Sequence, residues 1–409
     1  MQHWWRHGGL GAAGLAGALA LVLTLLPAGP AQAQPAGAAP MAAPALLGRP
    51  ADWVPGRVLV KPRATGAALI AGGHLGGGVL APALDTVLDT WHLAADRPLA
   101  PGAVVALAGA PGLDVAAAVA ALRNSGAVAY AEPDYLMRAT LTPNDEHYAD
   151  QEWWLTAMQT QAAWDISTGN PDLILGVLDT GIATNHPEFA GRILPGHNFV
   201  SGNNDVYDDN GHGTHVSGIA SAQGNNGVGI AGISWQTKIL PVKVLNGQGQ
   251  GSAYDFAQGI RWAVDNGARV INISAGADFS TETEHDAVKY AHSKGVIIVS
   301  AAGNTPDGHP RYPAGYDEVI AVSASSRRDS VAGFSSYGDY VDLAAPGINI
   351  LSTWVTNHHP GYQSESGTSM ASPMVAGTAM LVLSVNPNLS PDQVQLLLEQ
   401  TADDIGDPG

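Results

Sequence analysis

The stretch Leu173-Ile174-Leu175-Gly176-Val177-Leu178-Asp179-Thr180-Gly181 decides how the chain is read. An apolar run without polar alternation ends on an acid and a Gly turn, the signature of a strand buried on both faces. Similar β-branched runs recur at 239–245, 270–273, 296–299 and 319–322. Helical segments lie between them. Ser252 opens one that carries Phe256, Ile260, Ala263 and Val264 on one face, and Gly267 closes it. Thr281 with Glu284 predicts a capping box for a second, ended by Gly295. Ser390-Pro391 with Gln393 starts a third, with Val394, Leu397 and Leu398 facing inward. Strand–helix alternation predicts an α/β fold with a doubly wound, mostly parallel sheet.

Composition narrows the function. The chain has 409 residues, 18 Lys+Arg against 36 Asp+Glu, and a net charge of −18. Nucleic-acid binding needs clustered cations and is excluded as an expectation. Zero Cys removes thiol catalysis, thiolate metal sites and disulfides. The charge is uneven: residues 1–141 hold 8 basic and 7 acidic residues, residues 142–409 hold 10 and 29. A boundary near 141 follows.

Upstream of it, Arg6 precedes an uncharged apolar stretch over 10–26, then Pro27 and Ala31-Gln32-Ala33. This pattern predicts an export signal over 1–33 and a secreted protein with no membrane attachment once the signal is removed. Residues 34–52 read as an Ala/Pro/Gly linker. Residues 53–141 read as a small α+β unit, with strands at 58–60 and 127–130 and an Ala-rich helix at 115–122.

Three segments fall where open α/β sheets place their sites, beyond the strand ends. They are Asp179-Thr180-Gly181, then Asn210-Gly211-His212-Gly213-Thr214-His215, then Gly367-Thr368-Ser369-Met370-Ala371-Ser372-Pro373. Singly, each has a plain alternative: a helix cap, a loop His, a Ser-Pro helix start. Together they supply a carboxylate to orient an imidazole, an imidazole to take a proton, and a hydroxyl to attack. No G-x-S-x-G and no H-E-x-x-H occurs, which disfavours a lipase-type hydrolase and a zinc peptidase.

In their Asp…His…Ser order, with spacings of 33 and 157 residues, these segments resemble the subtilisin-like serine proteases, or subtilases. The resemblance implies a subtilisin-type fold and peptide-bond hydrolysis, with Asp179 orienting, His212 as base then acid, and Ser369 as nucleophile. Ala301-Ala302-Gly303-Asn304 resembles the family's oxyanion-hole segment, pairing the Asn304 amide with the Ser369 N–H. Gly249-Gln250-Gly251 and Ser274-Ala275-Gly276 match the segments between which members bind protein and peptide substrates as an added strand. Ala275 stands where Leu is common, and no acid marks a pocket floor, so broad specificity with a large apolar P1 residue is expected. Met374 stands where His is frequent and is read as packing.

The resemblance further implies one structural Ca²⁺ at Asp145, Glu188 and Asn226, with backbone carbonyls of Gln223, Val228 and Ile230. The loop with Asp205, Asp208 and Asp209 is read as an exposed charge cluster rather than a second ion site. Thr142-Pro143-Asn144-Asp145 and Gln161-Ala162-Ala163-Trp164-Asp165 resemble the mature start of the thermitase-like branch. Residues 53–141 then resemble a pro-domain, an intramolecular inhibitor and folding aid removed by autocleavage between Arg138 and Thr142. The catalytic domain is expected over 142–409 as a monomer. Thr401-Ala402-Asp403-Asp404-Ile405-Gly406 resembles only the start of the family's closing segment, so a shortened C-terminus is expected.

Overall fold

The computed structural model describes residues 53–63, 68–69, 75–76, 81–95, 104–110, 112–136 and 141–405. The expected signal and linker, and Arg138 of the expected cleavage stretch, lie outside the described residues. The chain divides into two compact units, one within residues 30–139 and one beginning at Thr140.

In the first unit, strand Trp53–Pro62 pairs antiparallel with Val105–Ala108 on one side and Val128–Tyr135 on the other. Val58 and Val60 alternate onto its buried face and meet Val119 and Leu122 of the helix Val115–Asn124. Asp114 caps that helix by accepting from the Ala117 N–H at 3.0 Å. A further helix, Ala81–Thr90, places Leu84 and Leu88 on the same core at helical spacing.

The second unit carries a seven-stranded, all-parallel sheet. Its spatial order is Leu343–Pro346, Val319–Ser325, Ile297–Ala301, Val270–Ile273, Ile174–Asp179, Lys238–Lys243 and His197–Asn198. Each expected apolar run is one of these strands, and both faces are covered. Leu175 and Val177 join the core beneath helices His212–Ser221 and Thr368–Val385. Leu178 and Ile271 join the opposite core, beneath Ala253–Asp265 and Glu282–Ser293. The helix Thr368–Val385 is apolar all round because it runs through this core, where only Ser369, Ser384 and Val385 escape full burial.

Caps form largely as expected. Ser252 and Thr281 each accept from the N–H three residues on, and Ser390 with Gln393 makes a full capping box. Glu284 instead turns inward, where Tyr316 Oη donates to its Oε2 at 3.4 Å. Tertiary packing has taken the side chain that a local box would use.

Candidate active site

The strand order reverses between Ile174–Asp179 and Val270–Ile273: successive crossovers go one way from the first and the other way from the second. A crevice opens at such a switch point, outside the carboxyl ends of the two strands. Asp179 ends one strand and Ser274 follows the other.

Asp179 is fully buried. Its Oδ1 lies 2.7 Å from His212 Nδ1 and accepts the Thr180 N–H at 2.7 Å. His212 opens the helix His212–Ser221. The helix can approach this closely because a Cβ on Gly213 would stand 2.2 Å from Gly181 O and 3.1 Å from Asp179 Cβ. Burial works to lower the His212 pKa, but the Asp179 carboxylate, helped by Asp208 and Glu365, raises it above the ordinary value.

Asp208 corrects the expected exposed cluster. It is 1% exposed. Its Oδ1 accepts from Thr180 Oγ1 at 2.8 Å, the Asn210 N–H at 3.0 Å and the Gly211 N–H at 2.8 Å. Its Oδ2 accepts from the Thr214 N–H at 2.8 Å and Thr214 Oγ1 at 2.7 Å. One carboxylate therefore ties the residue after Asp179 to both sides of His212. Asp209 pairs with Lys243 Nζ at 2.7 Å, and Asp205 stays exposed. Three neighbouring acids look alike in sequence; only the partners supplied by Thr180 and Thr214 single out Asp208.

Ser369 lies in the first turn of Thr368–Val385. Its Oγ donates to Ser274 O at 3.1 Å, and Ser274 Oγ donates back to Ser369 O at 2.9 Å. Ser372 Oγ donates to Asn272 Oδ1 at 2.8 Å, a second polar tie between this helix and the strand Val270–Ile273. Asn304 Oδ1 accepts the Thr368 N–H at 2.9 Å and Thr368 Oγ1 at 3.0 Å, which leaves its amide N–H groups to donate. The helix N-terminus, the Asn304 amide and Ser274 thus converge on one spot, where a developing anion would be favoured. Met374 is fully buried in the core, as expected.

The two expected substrate segments differ in structure and exposure. Residues 274–276 run on irregularly from their strand, with Ser274 buried and Gly276 exposed. Residues 249–251 form an exposed turn organised by Asn246, whose Oδ1 accepts the Gln248 and Gln250 N–H groups. Gly251 has a packing reason of its own: a Cβ there would sit 2.1 Å from Val244 O.

The expected cation residues also meet. Asp145 accepts the Asn225 and Asn226 N–H groups at 2.7 and 3.3 Å. Glu188 is fully buried, and its Oε1 accepts the Ile230 N–H at 2.8 Å and Tyr362 Oη at 3.0 Å. Its Oε2 is buried without a partner. Burial, with a smaller push from Asp145, raises the Glu188 pKa to about 7. The Gln223 N–H donates to Glu188 O at 3.2 Å, and Asn226 Oδ1 accepts the Val228 N–H at 2.8 Å. Among the described residues no three His, Asp or Glu side chains are placed to hold a metal ion together, so a cation here would also draw on amide and carbonyl oxygens. Two facing acids with an orphaned oxygen fit a hard cation.

The model of the subtilase family, Peptidase_S8, matches residues 170–409. The chain belongs to the subtilase family. This subtilase is 44% identical over 296 residues to a thermophilic serine proteinase of Bacillus sp. (strain AK1), covering 72% of the chain and 73% of that protein. It is 42% identical over 268 residues to thermitase of Thermoactinomyces vulgaris, covering 66% and 94%. A solved protease structure from Pseudoalteromonas arctica PAMC 21717 matches with a TM-score of 0.60 at 32% identity, covering 65% of the chain and 94% of that structure. The fold is of the subtilisin type, and the protein is a subtilisin-like serine endopeptidase.

Proposed function

We propose that Asp179, His212 and Ser369 form the catalytic triad, with Asn304 and the Ser369 N–H as the oxyanion hole. The observation that carries this is the 2.7 Å contact from a buried Asp179 to His212 Nδ1 at the sheet's switch point. That contact holds the proton on Nδ1 and leaves Nε2 as the base. When a peptide enters, the Ser369 hydroxyl leaves Ser274 O and gives its proton to Nε2 as Oγ attacks the scissile carbonyl. Negative charge gathers on the carbonyl oxygen, where the Asn304 amide and Ser369 N–H donate. His212 then passes the proton to the departing amine. A water molecule, deprotonated by the same Nε2, hydrolyses the acyl-enzyme. The substrate lies extended between 249–251 and 274–276, and the specificity is broad, with an apolar P1 residue of large size.

The protein is made as a secreted precursor. The signal covers 1–33, the linker 34–52, and residues 53–141 form the pro-domain that inhibits and helps fold 142–409, a monomer. A parallel sheet closes many long-range contacts and folds slowly, so an inhibitor that acts before folding is complete protects the chain from itself. Asp145, Glu188 and Asn226, with carbonyls of Gln223, Val228 and Ile230, would hold a structural Ca²⁺. There it would neutralise two buried acids and staple the loop 223–230 in a domain without disulfides.

Fluorophosphonate labelling tests the triad. Ser369 is expected to label, and Asp179→Asn to lower kcat by about 10⁴. Ser369→Ala, made in a protease-free host, is expected to remain uncut between Arg138 and Thr142. Labelling at another serine would overturn the assignment, and processing of the Ser369→Ala precursor would overturn self-maturation.

A further inference from the structure

We propose that a cavity at the amino ends of the strands Ile174–Asp179 and Lys238–Lys243 binds a small carboxylate with an apolar body, held by Lys238 and Arg192 beside the indole of Trp235. The site is separate from the catalytic crevice. The two strands pair in parallel, Ile174 opposite Lys238 and Asp179 opposite Lys243. Lys238 and Asp179 therefore stand at opposite ends of the pair, roughly 17 Å apart along it.

The cavity has a volume of about 470 Å³, the size of a small-molecule site. Backbone bonds fix its walls in advance. The Ile239 N–H donates to Arg192 O at 2.9 Å, the Lys238 N–H to Leu173 O at 3.1 Å, and the Trp235 N–H to Thr168 O at 2.8 Å. Trp164 backs the Trp235 indole, with ring centroids 4.6 Å apart. The Gly224 backbone closes on the indole edge, where a Cβ would stand 2.4 Å from Trp235 Cε2 and 2.6 Å from Nε1.

Charge sets this cavity apart. Residues 142–409 hold 10 basic and 29 acidic residues, yet among the described residues two cations and no acid line it. The Lys238 ammonium has no hydrogen bond or ion pair among the described residues. Arg192 is half-buried and meets only uncharged oxygens: Nη1 donates to Ser221 Oγ at 2.9 Å and Thr237 O at 3.0 Å, and Nη2 donates to Glu188 O. Its Nε and the Trp235 Nε1 are buried without a partner. Burial lowers the Arg192 pKa to about 10, although the Glu188 carboxylate pulls it upward. Cations held this way lack a counter-charge, and an anion in the cavity supplies it.

The lining also selects the anion. Pro171 and the Trp235 indole give an apolar surface for a ligand body, which a bare inorganic ion would leave uncovered. The exposed amides of Gln223 and Gln236 can donate to a carboxylate or accept from a ligand N–H. The acidic surface around the site repels each further negative charge, so one carboxylate suits it better than a polyanion.

The test titrates the secreted protein, at fixed calcium, with 3-phenylpropionate and with the neutral 3-phenylpropionamide. Calorimetry is expected to show one acid bound per chain. At tenfold above its Kd the acid should raise Tm by about 3–5 °C. The amide should bind at least about 10-fold more weakly, the scale of one charge-assisted hydrogen bond. Lys238→Met should weaken the acid by about 10-fold, and Lys238→Arg should restore it. Lys238 has no side-chain partner to lose, so both variants are expected to fold. Inorganic phosphate should bind more weakly than the acid. Acid and amide binding alike, or no binding of the acid, would overturn the proposal. Undiminished binding to Lys238→Met would place the acid elsewhere and overturn the site, and phosphate binding as tightly as the acid would overturn the ligand class.

Discussion

Asp208 and Glu188 are both buried carboxylates of the same unit, 1% and 0% exposed, yet their surroundings differ in kind. Asp208, in the loop before His212, takes five hydrogen bonds on its two oxygens. Glu188 keeps one oxygen without a partner, faces Asp145, and holds its proton up to about pH 7. Burial therefore does not by itself say what an acid is for. A carboxylate whose lone pairs are filled by its own fold is a strut; one left half-filled beside another acid is incomplete until a cation arrives.

The largest expected effect breaks the strut. Asp208→Ala strands three backbone N–H groups and two hydroxyls and should cost at least about 3 kcal/mol in denaturant unfolding. Since those donors flank His212, kcat/KM of the remaining folded enzyme should fall as well. A variant as stable as wild type would erase the distinction from Glu188.

Next comes the incomplete acid. At calcium 100-fold above its Kd, binding should add about 2.7 kcal/mol. Chelation should then lower Tm by roughly 5–10 °C. Glu188→Gln should lose most of that response while Asp208→Asn keeps it. Equal responses in both would show that the two acids do not differ as argued.

The smallest effect sharpens the comparison with a third buried acid. Glu284 is 7% exposed and pushed up to about 7, chiefly by burial. The folded state thus holds this proton over a range in which the unfolded chain has released it. Its contribution is fully present below the ordinary carboxylate value and is lost as pH rises through about 7. Glu284→Gln can still accept from Tyr316 Oη and should gain on wild type between pH 5 and 8. The expected gain is on the order of 1 kcal/mol, read as Tm against pH.

Much of the frame was legible in the chain. Buried parallel strands are mostly apolar and β-branched, so Val270–Ile273 could be read to the residue despite Asn272 within it. The cap of Ser390 with Gln393 is local chemistry and formed as expected. Glu284 donates its N–H to the Thr281 cap, but its side chain leaves the expected box because Tyr316, 32 residues away, donates to it instead. The Gly251 reading was incomplete for a similar reason, since the atom it must avoid, Val244 O, is met only after the turn closes.

By itself the sequence determined the element pattern, the charge boundary near residue 141 and the three segments that carry Asp179, His212 and Ser369. These depend on periodicity, composition and short motifs, which act over a few residues. Only the tertiary structure decided that Asp208 is a strut, that Glu188 is left half-satisfied, and that Ser274 and Ser369 hydrogen-bond to each other. Each of those depends on donors or acceptors from other segments. An acid or a serine has the same formula wherever it stands, and its role is set by which partners folding brings to it.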